Sequence, residues 1–235
     1  MSLKLRGLID AWRGRDALSE MLDEFQEMLR DGEWMFRTVA GVMDGRRTPQ
    51  TVHDAFFARD KEINGHEKDL RRRIVQHLGL GRDADVEACL VLMSVVKDAE
   101  RVGDYCKNMF EVACLLRTGL GAGRHVGELK RLRAEVGRLF ARVREAFAEA
   151  DGPGAVKVIR KTRDVGWRAD QMIERLIRDK MPTRKSVAFA LLFRYVKRVA
   201  AHLGNICTSV TGSVVELDYA PADLRRVRKT YGSGA

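Results

Sequence analysis

The sequence predicts an all-α protein of six long helices arranged as two tandem three-helix bundles, and three observations carry that expectation. Proline occurs only at Pro49, Pro153, Pro182 and Pro221, so a stretch of about a hundred residues holds no obligatory helix breaker. Apolar residues recur at three- and four-residue steps over long segments, the signature of one buried helical stripe. The layout of the first half also returns in the second.

The first helix is expected from about residue 16 to 44. Leu18, Met21, Leu22, Phe25, Met28, Leu29, Met35, Phe36, Val39, Val42 and Met43 form its stripe. The segment GRRTP breaks it, and Thr48 before Pro49 reads as an N-cap with proline in the first turn. The second helix carries Val52, Phe56, Ile63, Leu70, Ile74 and Leu78 to about residue 78, where LGLGRDAD forms a loop. A third starts near Asp83 or Asp85 and runs through Cys89, Leu92, Met93, Val96, Val102, Phe110 and Leu116 until TGLGAG stops it. Three more are expected at about 125–150, 154–180 and 184–216, separated by DGPG and by MPT, with Thr183 capping the last. Helices of about thirty residues are roughly 45 Å long, and short loops make sequential neighbours antiparallel. The expected units are residues 1–122, residues 123–216 and a basic tail at 217–235.

The duplication is legible in residues as well as in lengths. AERVGDYCKN at 99–108 and VKRVAAHLGN at 196–205 occupy the same relative place, so that Arg101 meets Arg198, Val102 meets Val199 and Asn108 meets Asn205. Glu100 and Asp104 become Lys197 and Ala201, which leaves the acidic chemistry in the first half.

Composition bounds the function. The 235 residues are 45% apolar and 32% charged, enough for a sizeable core, and the formal net charge is +10. That excess attracts anions, whether phosphate, nucleic acid or an anionic membrane surface. No stretch reaches the apolar length of a membrane span or of a signal-peptide core, so a cytoplasmic location is expected. Cys89, Cys106, Cys114 and Cys207 lack metal-ligand spacing and read as small buried residues. No nucleophile–base pair, phosphate-binding glycine loop or H-E-x-x-H motif occurs, and the chain is expected not to be an enzyme.

The residues that carry chemistry lie on the second and third helices. Glu100, Asp104 and Asn108 sit at i, i+4 and i+8, along one face, with successive side chains about 6 Å apart. Asp60, Asn64 and Glu67 have similar spacing, so an antiparallel neighbour presents a second set of oxygen ligands to the first. Such a set suits a hard or borderline cation; the competing reading is a solvated face paired with neighbours such as Arg101 and Lys107. Arg71, Arg72 and Arg73, and Arg225, Arg226, Arg228 and Lys229 in the tail, are candidate anion- or partner-binding clusters. Lys130, Arg131 and Arg133 form a further cluster that reads as solvated helix surface. A basic helical nucleic-acid binder is the alternative function, although no helix-turn-helix signature supports it and no specific nucleic acid is expected as a partner.

DKEINGHEKDLRRRI at 60–74 followed by KDAERVGDYCKN at 97–108 closely resembles the PhoU family of bacterial phosphate transport and signalling proteins. The resemblance implies two repeats of a three-helix bundle, with an E(D)-x-x-x-D motif on the third helix of each that binds iron or zinc clusters. Glu100 and Asp104 match that motif, and Asp60, Asn64 and Glu67 match the polar positions of the second helix. Tyr105 stands where the family usually has His. The second copy keeps His202 and Asn205 but replaces both acids, so iron or zinc is expected in the first repeat only. Lys197 is expected to pair instead with Asp164. The resemblance further implies a negative regulator of phosphate uptake that contacts a transporter ATPase subunit or a sensor histidine kinase. A peripheral position at the membrane and a homodimer are compatible with it.

Overall fold

The computed structural model describes residues 16–80, 86–116, 120–212 and 217–218. Its helices are α1 (Asp16–Met43), α2 (Pro49–Gly79), α3 (Val86–Leu115), α4 (Arg124–Ala148), α5 (Gly152–Arg178) and α6 (Thr183–Thr211). Among the described residues there is no strand.

Local chemistry explains the breaks. Gly45 takes φ 71° just past α1, a left-handed turn natural to glycine. It lets the Gly45 and Arg46 amides donate back to the carbonyls of Val42 and Gly41 at 3.0 and 2.9 Å. Thr48 is the extended N-cap residue of α2 with Pro49 in the first turn, but its hydroxyl makes no cap bond and donates to Thr51 Oγ1 at 3.2 Å. At α5 the cap is complete: the Asp151 carboxylate accepts from the Gly154 amide at 3.0 Å. Thr183 is already helical, and Pro182 holds the cap position of α6. That helix ends at Thr211, short of residue 216, because the backbone is extended at Gly212.

Helices α1, α2 and α3 pack on one another, as do α4, α5 and α6. The two triplets then join through α3 against α6 and α1 against α4, and one continuous apolar core spans them. Phe56 stacks on Phe110 at 4.5 Å between α2 and α3. Phe25 meets Phe147 at 4.8 Å and Phe36 meets Phe140 at 5.6 Å across the α1–α4 seam. These rings are nearly or wholly buried, and each removes a large apolar area from water. Helices α5 and α6 approach closely because Gly204 lies over Thr162; a Cβ there would stand 2.6 Å from the Thr162 hydroxyl oxygen. Cys89, Cys106 and Cys207 are buried, Cys114 is half-buried, and all four are free thiols. Burial pushes the Cys207 thiol up to about 12, which keeps it from reacting as a thiolate.

Candidate functional site

Antiparallel packing of α2 on α3 brings the predicted acidic residues face to face in two rungs, each bridged by a lysine. Lys107 lies 3.1 Å from both carboxylate oxygens of Asp60 and 3.3 Å from Asp104. One and two turns towards the other end, Lys97 lies 2.7 Å from Glu100 and 3.4 Å from Glu67. Arg101 adds a contact to Asp104 at 3.5 Å, and Arg71 one to Glu67 at 3.3 Å. Glu67 and Glu100 are buried, which makes the pairing necessary, since an unpaired buried carboxylate is costly. Burial opposes the charge on Lys107, but hydrogen bonds to Asp60 and Asp104 outweigh it and raise its pKa.

The other predicted ligands behave differently. Asn64 donates to its own helix at the Asp60 carbonyl, 2.9 Å away, and so is turned to its backbone rather than to α3. Asn108 is half-buried one turn beyond Asp104. A metal implied by the family's acidic motif therefore meets a poor fit here. An ammonium stands between the acids of each rung, and among the described residues no three His, Cys, Asp or Glu side chains converge to hold an ion.

The basic clusters also divide. Arg71 meets Glu67, Arg72 meets Asp69, and Arg73 meets Glu20 and Glu24 at 2.7 and 3.0 Å. Each is spent on a carboxylate, so the three do not form one open patch. Arg225, Arg226, Arg228 and Lys229 lie outside the described residues. Arg133, read from sequence as part of a solvated cluster, is only 3% exposed. It crosses the α1–α4 seam to the Ala40 carbonyl at 3.1 Å and to Asp44 at 2.7 Å. In the second repeat Lys197 pairs with Asp170 at 2.5 Å, not with Asp164. That residue meets Lys161 and Arg168, both at 3.3 Å. The antiparallel register puts Asp170, nearly two turns further along α5, opposite Lys197.

Sequence reasoning missed a polar cluster in the α3–α6 seam. His202 Nδ1 lies 2.7 Å from Asp98, which also accepts from Asn205 at 3.1 Å. Tyr105 stacks on the His202 ring at 5.6 Å and accepts from Arg198 at 3.1 Å. Asp98 and Glu100 are two residues apart and point to opposite sides of α3, one to α6 and the other to α2. The signal was the i, i+3 pair His202 and Asn205, two polar side chains on the face of α6 that also carries Val199 and Ile206. Asp218 folds back near the same cluster, and burial together with the charge of Asp98 raises its pKa.

Residues 18–113 match the PhoU domain. The crystal structure of PhoU from Pseudomonas aeruginosa superposes with a TM-score of 0.75 at 18% identity, covering 86% of this chain and 97% of that one. The phosphate transport system regulatory protein PhoU from Streptococcus pneumoniae gives 0.62 at 16% identity, covering 84% and 97%. No curated protein matches the chain.

Proposed function

We propose that this chain, whose residues 18–113 match the PhoU domain and whose described helices share the PhoU fold, is a non-enzymatic regulator of phosphate transport acting by contact with other proteins. The domain match is the observation that carries the reading. The two solved PhoU structures support it by fold, and one of them is described as a phosphate transport system regulatory protein. The partner is a transporter ATPase subunit or a sensor histidine kinase, engaged from the cytoplasmic side. Among the described residues no helix is long and apolar enough to cross a membrane, so a place at the membrane would be peripheral.

The rungs between α2 and α3 set the terms for metal. A divalent ion binds there only by displacing Lys97 or Lys107 from carboxylates they already neutralise, and the proposed docking does not depend on it. Deleting the gene tests the regulatory reading. Phosphate uptake should rise and the starvation response should switch on in high phosphate; unchanged uptake and response would sink the proposal. Affinity capture with the candidate transporter ATPase and kinase then identifies the partner.

A further inference from the structure

Helix α6 lies between α3 and α5, and its outward stripe departs from the wholly polar face of a solvated helix. Arg184, Val187, Leu191 and Arg194 fall at i, i+3, i+7 and i+10, and all four are exposed. The flanking helices extend the apolar pair to both sides. Arg184 donates to the Leu115 carbonyl at the end of α3, which brings that leucine beside the first turn of α6. On the other flank Lys197 meets Asp170; two turns back along α6 and two turns forward along the antiparallel α5 put Ile177 level with Ala190. Leu115 and Ile177 are 71% and 81% exposed, Val187 and Leu191 52% and 37%. Single exposed apolar residues are ordinary, but these adjoin one another across a width of roughly 20 Å at the spacing of packed helices, and so form a patch. The charge around it is of one sign. Lys180, Lys185 and Arg194 form no ion pair among the described residues, and Arg184 meets a neutral carbonyl. Of the acids at this end, Glu174 and Asp179 are held by Arg178 and His125 at 2.7 and 2.8 Å, which leaves Glu111, one turn before Leu115, to oppose the cations.

We propose that this face docks on an anionic lipid surface, with the four apolar side chains entering among the headgroups and the surrounding cations on their phosphates. Apolar tips beside lysine and arginine are the chemistry that such a surface selects. Charge complementarity decides against the other occupants. A second copy would set cations against cations. Residues 1–15 carry Lys4, Arg6, Arg13 and Arg15 against Asp10, and residues 219–235 carry Arg225, Arg226, Arg228 and Lys229 against Asp223, so neither end of the chain complements the patch. The apolar residues stand on the outer sides of three helices, and none is an aromatic or arginine anchor seated in a pocket, the feature that centres a protein–protein interface. The inference goes beyond the regulatory reading by assigning the face that lies on lipid. It is measured on the purified chain without any partner, so its failure leaves the regulatory reading standing.

The test is co-sedimentation of the full chain with vesicles of phosphatidylcholine alone and of phosphatidylcholine containing about one-third phosphatidylglycerol. Partition onto the anionic vesicles should be at least about tenfold stronger and should fall with added salt. Ile177→Ser with Val187→Ser should weaken it about tenfold, as should Arg184→Glu with Arg194→Glu, while circular dichroism stays that of wild type. Arg138→Glu with Lys157→Glu makes the same charge change at exposed positions of α4 and α5 and should retain most of the binding. Fluorescence of Leu191→Trp should be quenched by brominated phosphatidylglycerol beyond that of wild type. Equal partition onto the two kinds of vesicle overturns the proposal. So does binding that survives Ile177→Ser with Val187→Ser, since a basic segment elsewhere would then hold the lipid. An equal loss in Arg138→Glu with Lys157→Glu overturns it as well, because net charge rather than this face would be read. If poly-glutamate displaces the chain from vesicles at equal charge concentration, the face reads an acidic protein and lipid docking is refuted.

Discussion

Lys97 and Lys107 decide how the acidic face of α2 and α3 behaves. Each ammonium lies between two carboxylates from different helices, the place a divalent ion would otherwise take. The lysine side chains are 38% and 26% exposed, so solvent screens part of each interaction. Removing both should cost about 1–2 kcal/mol, less than breaking a wholly buried pair. The double variant Lys97→Ala with Lys107→Ala should also gain a divalent ion, read as a rise in melting temperature on adding zinc or manganese that wild type shows weakly. A variant that neither loses stability nor responds to metal would show that the lysines do not occupy the ion's place. In the second repeat Lys197, which stands where the first has Glu100, pairs with Asp170 at 28% and 51% side-chain exposure. Lys197→Met should therefore change stability by no more than about 1 kcal/mol in chemical denaturation.

Between elements, the stabilising contacts are rings inside and ion pairs at the margins. Phe110 stacks on Phe56 and touches the edge of Phe57 at 6.0 Å; Phe110→Ala should cost about 3–5 kcal/mol in urea denaturation, because α2 and α3 would face a cavity. The margins predict the pH dependence. Burial works against ionising Glu33, but hydrogen bonds from Arg144 and Arg37 outweigh it and lower its pKa. Glu135 follows the same logic, with Lys161 and Arg168 overcoming burial. An acid whose folded pKa lies below its unfolded value contributes stability above the unfolded value, and that contribution disappears as pH falls through the folded one. The α1–α4 and α4–α5 contacts should therefore weaken below about pH 4.3, the ordinary glutamate range. In Glu33→Gln with Glu135→Gln the difference between urea midpoints at pH 7 and pH 3 should shrink. An undiminished difference would assign the acid sensitivity to other carboxylates.

For the whole molecule, the continuous core means that the two repeats support each other. The rings of Phe25, Phe36, Phe140 and Phe147 belong to the α1–α4 seam, and Asp98 with His202 belongs to the α3–α6 seam. Unfolding should thus be one cooperative transition. With Trp12 replaced by Phe, Trp34 in the first repeat and Trp167 in the second provide separate probes: urea curves from Trp12→Phe with Trp34→Phe and from Trp12→Phe with Trp167→Phe, each read by fluorescence, should coincide with circular dichroism. Two resolved transitions would show that the repeats fold independently.

The sequence by itself determined the helices and their pairing. A 3.6-residue apolar period, four prolines and glycine-rich breaks are local signals, and local signals mark where helices start and stop to within a few residues. The acid spacing on α2 and α3 was legible for the same reason, because i, i+4 and i+7 positions share a face whatever the helix packs against. Tertiary structure decided what those faces meet. Antiparallel register chose Asp170 over Asp164 for Lys197, placed a lysine inside each acidic rung, and turned Arg133 from an expected surface residue into a buried link between repeats. It also aimed Asp98 and Glu100 at different helices and set Leu115 and Ile177 on either side of the outward stripe of α6. Residues far apart in the chain make each of these contacts, and their register depends on how two helices slide and rotate against one another, which no single helix's periodicity contains.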